Sequence, residues 1–195
     1  MNIKINIKHF LIITTLISSL QGCVFVAGAT AGAAGIAVVY DHRKVEKVLL
    51  DQHIATTITD NIHQSKELSD NTHIEVTCFN QIVLLSGEAT NTKYATEAEH
   101  IARAVPDVTK VYNQLTIKGA TSSLTRASDA WITTKIKTEM LATKNLSSGS
   151  IKVVTENGTV FLMGIVNRDQ ANTAVDISRQ VSGVQKVIKI FQYTN

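Results

Sequence analysis

The stretch IKVVTENGTVFLMGIV, residues 151–166, decides how the rest of this 195-residue chain is interpreted. Apolar and polar residues alternate at its start, which is typical of a half-buried strand. Asn157-Gly158 follows, and this pair favours a two-residue type I′ turn because such a turn needs positive φ at both central positions. A second apolar run comes after the turn. The stretch therefore predicts an antiparallel β-hairpin.

The stretch IEVTCFNQIVLLSGEA, residues 74–89, repeats this pattern 77 residues earlier, with Asn80-Gln81 as a poorer turn. Apolar positions also repeat before the hairpin, displaced by 78, and after it, displaced by 76. The earlier set pairs Ile54, Ile58, Ile62 and Leu68 with Ile132, Ile136, Met140 and Leu146. The later set pairs Ala95, Ala98, Ile101, Val105, Val108 and Val111 with Ala171, Ala174, Ile177, Val181, Val184 and Val187. Because the offset changes only at predicted loops, we infer a duplication.

Each copy reads helix, strand, turn, strand, helix, strand. This order predicts an α+β fold made of two tandem small modules, each with two helices packed on a three-stranded mixed sheet. We place the first module at residues 45–118, a polar linker at 119–127 and the second module at 128–195. Because single modules of this size have marginal cores, we expect the two to pack on one another.

Residues 1–22 have the features of a secretory signal peptide, with two early lysines and an apolar run over 10–20 that is too short to cross a bilayer. The run ends in Leu-Gln-Gly-Cys, which resembles a lipobox, so we expect lipid on Cys23. The alternative is an ordinary signal peptide that happens to contain a cysteine. Val24 stands where Asp tends to retain Gram-negative lipoproteins in the inner membrane, which implies an outer-membrane anchor with the protein facing the periplasm. Cleavage would lower the net charge from +3 to +1.

Residues 23–44 join the lipidated cysteine to the first module. Their apolar part, 24–40, is rich in Gly and Ala and only just long enough for a membrane span, which favours a membrane-associated tether over a weak span. Cys78 would then have no intramolecular partner in an oxidising compartment. Its position in an alternating apolar stretch favours a buried core thiol over an intermolecular disulfide or a reactive site.

Gly87 and Gly164 close the predicted second strand of each copy, an Ala-rich helix follows, and residues 106–108 and 182–184 lead into the last strand. These features resemble the BON domain, a small module of bacterial envelope proteins. The resemblance covers about residues 45–193 and is more specific in the second copy. It implies support of outer-membrane integrity and binding of anionic phospholipid by the second module, without catalysis or a cofactor.

The first helices of the two copies differ on their outer faces. At 100° per residue, the residues that oppose the buried face in the second copy are partly apolar and lie between lysines. The residues predicted to bind phospholipid are Trp131, Thr134, Lys135, Lys137, Thr138 and Leu141. The matching positions in the first copy include His53, Thr56, Asp60 and His63.

Net charge differs between the copies in the same sense, at −3 for residues 53–118 and +3 for residues 128–195. An apolar patch with cationic edges favours the surface of an anionic membrane. Tryptophan also prefers the headgroup region, where its ring is in apolar surroundings and its N–H is hydrated. We therefore predict that Trp131 and Leu141 insert into the membrane surface while Lys135 and Lys137 bind the phosphate groups of the lipid.

Other interpretations of Trp131 remain open. It could pack against the first copy or the linker and bury an inter-domain seam, or it could be the hot spot that docks an envelope assembly protein. An enzyme is the least favoured class because no nucleophile-elbow, zincin, P-loop or dinucleotide motif is present, and no metal site is expected. The mild charge of +3 argues against a nucleic-acid partner. The sequence leaves the oligomeric state open.

Overall fold

The computed structural model describes residues 45–119 and 121–194, so the predicted signal peptide and the whole predicted tether, including Cys23, lie outside the described residues. Among the helices of the described ranges, none is long and apolar enough to cross a membrane. The elements of the first module are α1 (Val45–Gln64), α2 (Lys66–Asn71), β1 (Thr72–Phe79), β2 (Ile82–Ala89), α3 (Thr92–Ala104), β3 (Lys110–Asn113) and β4 (Thr116–Ile117). Those of the second are α4 (Ser123–Ala142), a 3₁₀ turn (Ser148–Ser150), β5 (Ile151–Glu156), β6 (Thr159–Val166), α5 (Arg168–Gln180) and β7 (Lys186–Tyr193).

Each module is a mixed sheet with two long helices packed on one face, which confirms the predicted α+β class. The central strands β2 and β6 pair antiparallel with β1 and β5, and parallel with β3 and β7. The matched apolar positions of the duplication form one core per module. The first sheet also has a short fourth strand, because β4 continues the parallel pairing with the end of β2.

Two helix boundaries differ from the sequence prediction. Leu68 does not continue α1, because the chain breaks at Ser65, whose hydroxyl accepts the N–H of Leu68 at 3.3 Å and caps α2. Helix α4 begins inside the predicted linker, since the Ser122 hydroxyl accepts the N–H of Thr125 at 3.2 Å. Hydroxyl caps of this kind satisfy backbone donors at the start of a helix. The second half of the 119–127 segment is therefore helical.

The two hairpins have the same turn despite their different sequences. Asn157 and Gly158 have φ of 50° and 69°, as the sequence predicts, and Asn80 and Gln81 have φ of 49° and 65°. A left-handed conformation is free for glycine but costs a residue such as Gln81 about 1–2 kcal/mol. The poorer first turn therefore needs an additional stabilising contact.

A buried aspartate on the first helix of each module supplies that contact. In the first module, Asp51 of α1 accepts the backbone N–H groups of Asn80 and Gln81 at 2.7 and 2.8 Å. In the second, Asp129 of α4 accepts those of Asn157 and Gly158 at 2.8 and 2.9 Å. Both aspartates are about 5% exposed or less, so the helix clamps the hairpin turn through charge-assisted hydrogen bonds in each copy.

The sequence predicts that Gly87 and Gly164 close their strands, but they lie within β2 and β6, two residues before each strand ends. Neighbouring backbone approaches both glycines too closely for a side chain. A Cβ on Gly87 would lie 2.0 Å from the carbonyl oxygen of His73, and one on Gly164 would lie 2.6 Å from that of Ser150. Gly87 also has a φ of +111°, where L side chains are strained. Larger residues at these positions would push the paired strands apart.

The modules pack through the sheet faces that do not carry the helices. Phe79 and Leu84 of the first sheet join Phe161 and Met163 of the second in one apolar cluster, which we call the seam. The expected packing of one module on the other is thus confirmed. The described chain is layered as helices, sheet, sheet and helices, which leaves the outer faces of α1 and α4 turned away from the seam.

Candidate functional site

Helix α4 buries one side and exposes the other, as its sequence predicts. Ile132, Ile136 and Met140 are at most 2% exposed and belong to the core of the second module. All six residues of the predicted phospholipid site lie on the exposed side of the helix. Trp131 is 55% exposed and Leu141 is 48% exposed. The seam interpretation of Trp131 was therefore wrong, because the seam is formed by the sheets and the indole remains open to solvent.

The apolar part of this surface extends further than the sequence reasoning placed it. Leu124, in the first turn of α4, is 80% exposed. It precedes Trp131 by seven residues, which puts the two side chains within about 20° of each other and about 10 Å apart along the axis. The spacing could have revealed it, but the residue was assigned to the linker. We call Leu124, Trp131 and Leu141 the apolar stripe.

The two edges of the apolar stripe differ in charge. On one edge, Lys135 pairs with Glu139 at 2.8 Å, so its charge is partly compensated. On the other edge, Lys137 has no ion pair among the described residues, and Arg126 lies within about 20° of it around the helix. The Arg126 guanidinium donates to the carbonyl of Thr121 at 2.7 Å, and this neutral partner does not compensate the positive charge of the arginine. The cationic edge is therefore the Arg126–Lys137 side.

The two threonines of the predicted site have their donors already engaged. The hydroxyl of Thr134 donates to the backbone carbonyl of Ala130 at 2.9 Å, and the hydroxyl of Thr138 donates to the backbone carbonyl of Thr134 at 2.9 Å. Each hydroxyl can still accept a hydrogen bond but has only one hydrogen to donate. Phosphate oxygens accept hydrogen bonds, so in this arrangement neither threonine hydroxyl has a free hydrogen to donate to a phosphate group.

The outer face of α1 is less uniformly polar than the duplication suggested. His53, Asp60 and His63 are exposed there, as expected. The first two turns of the same helix, however, expose Val45 at 69% and Leu49 at 63%. The contrast between a polar outer face on α1 and a partly apolar one on α4 therefore holds from the position of Trp131 to the end of the helix, but not in its first turns.

A shallow groove of about 320 Å³ lies on the other side of α4, between its first turns and the second hairpin. Its polar lining comes from Lys118, Thr125, Ser128, Asn157 and Gln185. The Asp129 carboxylate at its base is already occupied by the turn N–H groups. Among residues 45–119 and 121–194, no three His, Cys, Asp or Glu side chains are grouped so that they could hold a metal ion.

Cys78 lies in the core of the first module and is 3% exposed. Its thiol donates a hydrogen bond to the Asp51 carboxylate at 3.4 Å. Burial, followed by the neighbouring negative charge of Asp51, raises the pKa of the thiol to about 12. A thiol that stays protonated is a poor nucleophile, which supports the interpretation of Cys78 as a core residue.

Comparison with known proteins agrees with the duplicated architecture. Residues 50–119 and residues 128–195 each match the BON domain family. The chain is 34% identical over 174 residues to the outer membrane lipoprotein DolP of Haemophilus influenzae, covering 89% of this chain and 90% of that protein. It is 33% identical over 153 residues to the 21 kDa hemolysin of Actinobacillus pleuropneumoniae, covering 78% and 79%. A shorter similarity, 34% over 119 residues, covers 60% of this chain and 59% of the osmotically-inducible protein Y of Escherichia coli.

Proposed function

The chain belongs to the BON-domain family and has the two-domain organisation of a DolP-like protein, and from this premise we propose that it is a lipoprotein of the outer membrane. In this proposal the acyl chains on Cys23 anchor it, and the two modules face the periplasm. Helix α4 then binds the anionic phospholipid of the membrane surface. Through this contact the protein supports the integrity of the outer membrane.

The observation that carries the lipid proposal is the exposed indole of Trp131, which has an exposed histidine, His53, at the matching position of α1. Core packing accounts for neither side chain, since both lie on outer faces. The indole sits in an apolar stripe flanked by a cationic edge, which is the composition that favours the interface of anionic bilayers. The same helix buries an equivalent inner face in each copy, so the difference is confined to the surface.

Magnitudes limit what α4 can do. Burying a large apolar side chain completely contributes about 1.5–3 kcal/mol, so the partly exposed side chains of the apolar stripe contribute about 4 kcal/mol together. Each cation near an anionic surface adds about 1 kcal/mol. Acyl chains contribute about 0.8 kcal/mol for every buried CH₂ and therefore dominate the anchoring. Helix α4 orients the protein and selects its lipid.

The test uses a fragment of residues 41–195 and vesicles made with or without phosphatidylglycerol in a phosphatidylcholine background. Because Trp131 is the only tryptophan of the chain, its fluorescence reports directly on this helix. We expect a blue shift with anionic vesicles and none with zwitterionic ones. Equal shifts with both kinds of vesicle, or no shift with either, would contradict the proposal.

Co-sedimentation with the same vesicles tests the residues, since Trp131→Glu removes the fluorophore. The duplication supplies matched controls: Trp131→Glu is compared with His53→Glu, and Leu141→Glu with His63→Glu. We expect each α4 variant to lower vesicle partitioning about tenfold, because it replaces an inserting group by an anion. The α1 variants should bind like the parent fragment. Equal losses from the two helices would show that the contrast between them has no role in lipid binding.

A protein-binding adaptor is the second candidate, and the same exposed Trp131 favours it because tryptophan is enriched at interface hot spots. A photo-crosslinking residue in place of Thr138, in the lipidated protein in its membrane, distinguishes the two. Adducts with phospholipid support lipid binding, and a discrete adduct with one envelope protein supports the adaptor.

A further inference from the structure

One end of the seam contains two carboxyl groups that belong to different modules. Glu88 of β2 is 1% exposed, and Glu156, the last residue of β5, is half-buried beside it. The side-chain amide of Asn157 donates to Glu88 at 2.8 Å and to Glu156 at 3.0 Å. One amide nitrogen therefore bridges the two carboxyl groups and holds them side by side.

The surroundings of the pair supply more negative than positive charge. Lys118, after β4, lies 3.9 Å from Glu88 and is partly exposed, and the N–H of Thr121 donates to Glu88 at 3.4 Å. Asp129 of α4 and Glu75 of β1 add negative charge around Glu156. Lys152 lies on the same face of β5 as Glu156, but it precedes Glu156 by four residues and is therefore about 13 Å from it along the strand.

At the opposite end of the seam, an amide pair takes the place of the carboxyl pair. There the amide of Asn80, the twin of Asn157, crosses to the other module and donates to the amide oxygen of Gln192 at 2.8 Å. The position that matches Glu88 in the second module, displaced by 77, is Ile165, which packs against the seam. The carboxyl pair of Glu88 and Glu156 therefore has no counterpart at the Asn80 end, where the matching residues are Ile165 and Phe79.

We propose that a single proton, shared by Glu88 and Glu156, closes this end of the seam, and that the two modules loosen there as the pH rises to neutrality. Two adjacent carboxylates in a half-buried site repel each other when both are ionised, whereas a protonated carboxyl donates a hydrogen bond to its neighbour. Burial, followed by the negative charge of Glu88, raises the pKa of Glu156 to about 7, so the proton leaves near neutral pH.

The loosening reaches the helix of the proposed lipid surface. Asn157 holds both carboxyl groups through its side chain and donates its backbone N–H to Asp129 of α4 at 2.8 Å. Opening this end of the seam therefore removes contacts from the turn that α4 clamps. The inference stands apart from lipid binding, because it concerns the contact between the modules and is tested without membranes.

Hydrogen exchange of the lipidated full chain in detergent micelles, followed by mass spectrometry between pH 5 and 8, tests the proposal. After correction for intrinsic exchange, we expect the opening constant of peptides around Thr121 and Asn157 to rise about tenfold between pH 5 and 7 and then level off. Peptides around Asn80, at the end of the seam without the carboxyl pair, should show no such rise. The same pH dependence at both ends would overturn the proposal.

Two variants identify the proton. Glu156→Gln keeps a hydrogen-bond donor toward Glu88 at every pH. It should hold the seam closed up to pH 8, so the opening constant should not show the tenfold rise. Glu88→Gln removes the like charge and should abolish the rise as well, so the proposal stays testable if one variant does not fold. Glu139→Gln, which alters an exposed carboxylate of α4, should behave as the parent. A rise that persists in both seam variants would refute the shared proton.

Discussion

Replacing Asp51 by alanine tests whether this carboxylate stabilises the strained Asn80-Gln81 turn of the first hairpin. The carboxylate accepts two N–H groups of the first hairpin turn at 2.7 and 2.8 Å and is itself only 4% exposed. Alanine cannot accept either bond, and little water can reach the donors left behind. The hairpin of the first module should therefore lose its attachment to α1.

The expected magnitude follows from these two bonds. A hydrogen bond to a charged group contributes about 1.5–3 kcal/mol, and the bonds share one carboxylate, so we expect a loss of about 3 kcal/mol in the free energy of unfolding. The strain can be measured separately, because Gln81→Gly should stabilise the protein by about 1 kcal/mol. The side-chain bonds that Gln81 makes with Lys47 and Asp107 are exposed and contribute little.

Urea unfolding of the 41–195 fragment, followed by circular dichroism, measures both effects. With a slope of about 1–3 kcal/mol per molar urea, a loss of about 3 kcal/mol lowers the midpoint by 1 M or more. Asp60→Ala, an exposed aspartate on the outer face of α1, is the matched control and should change stability by less than about 0.5 kcal/mol. If Asp51→Ala costs no more than this control, the clamp does not stabilise the turn.

The remaining predictions concern the second module alone and variants of the 41–195 fragment. Residues 121–195 alone should self-associate, because they expose the seam face around Phe161 and Met163; analytical ultracentrifugation showing a monomer would contradict this. Gly164→Ala should destabilise by about 2–4 kcal/mol in urea, since a Cβ there would meet the Ser150 carbonyl at 2.6 Å. The protonated Glu156 contributes stability that is complete below pH 4.5 and is lost as the pH rises to about 7, by about 1–2 kcal/mol after allowance for its partial exposure. Urea midpoints should therefore fall between pH 5 and 7 in the parent and stay level in Glu156→Gln.

The sequence predicted the features that depend on local pattern. Alternation and the Asn157-Gly158 pair predicted the second hairpin, and the buried helix faces followed from four-residue spacing. The exposure of Trp131 followed from the same helical geometry, once Ile132 was placed in the core. The small size of each module also predicted that the two pack together, but not which faces they use.

The features that the sequence did not predict depend on distant partners. Asp51 and Asp129 read as polar helix residues, and only the fold brings the hairpin turns to their carboxylates. The start of α4 was missed because a Ser/Thr-rich segment favours both linkers and helix caps, so Leu124 was left out of the candidate surface. The pairing of Glu88 with Glu156 requires two sheets to pack face to face, a contact between residues 68 positions apart.

The duplication separates what the fold needs from what each copy does. The helix aspartate, the positive-φ turn and the glycine of the central strand recur in both copies, and each satisfies a requirement of the backbone. Two of the pairs that differ, His53 with Trp131 and Glu88 with Ile165, lie on the outer helix face and in the seam, where the backbone makes no demand. A requirement of folding would act on both copies equally, so a residue that differs on these surfaces is free to serve one copy alone. The two divergent surfaces are therefore where function and its regulation should be sought, the one facing the membrane in our proposal and the other facing the sister module.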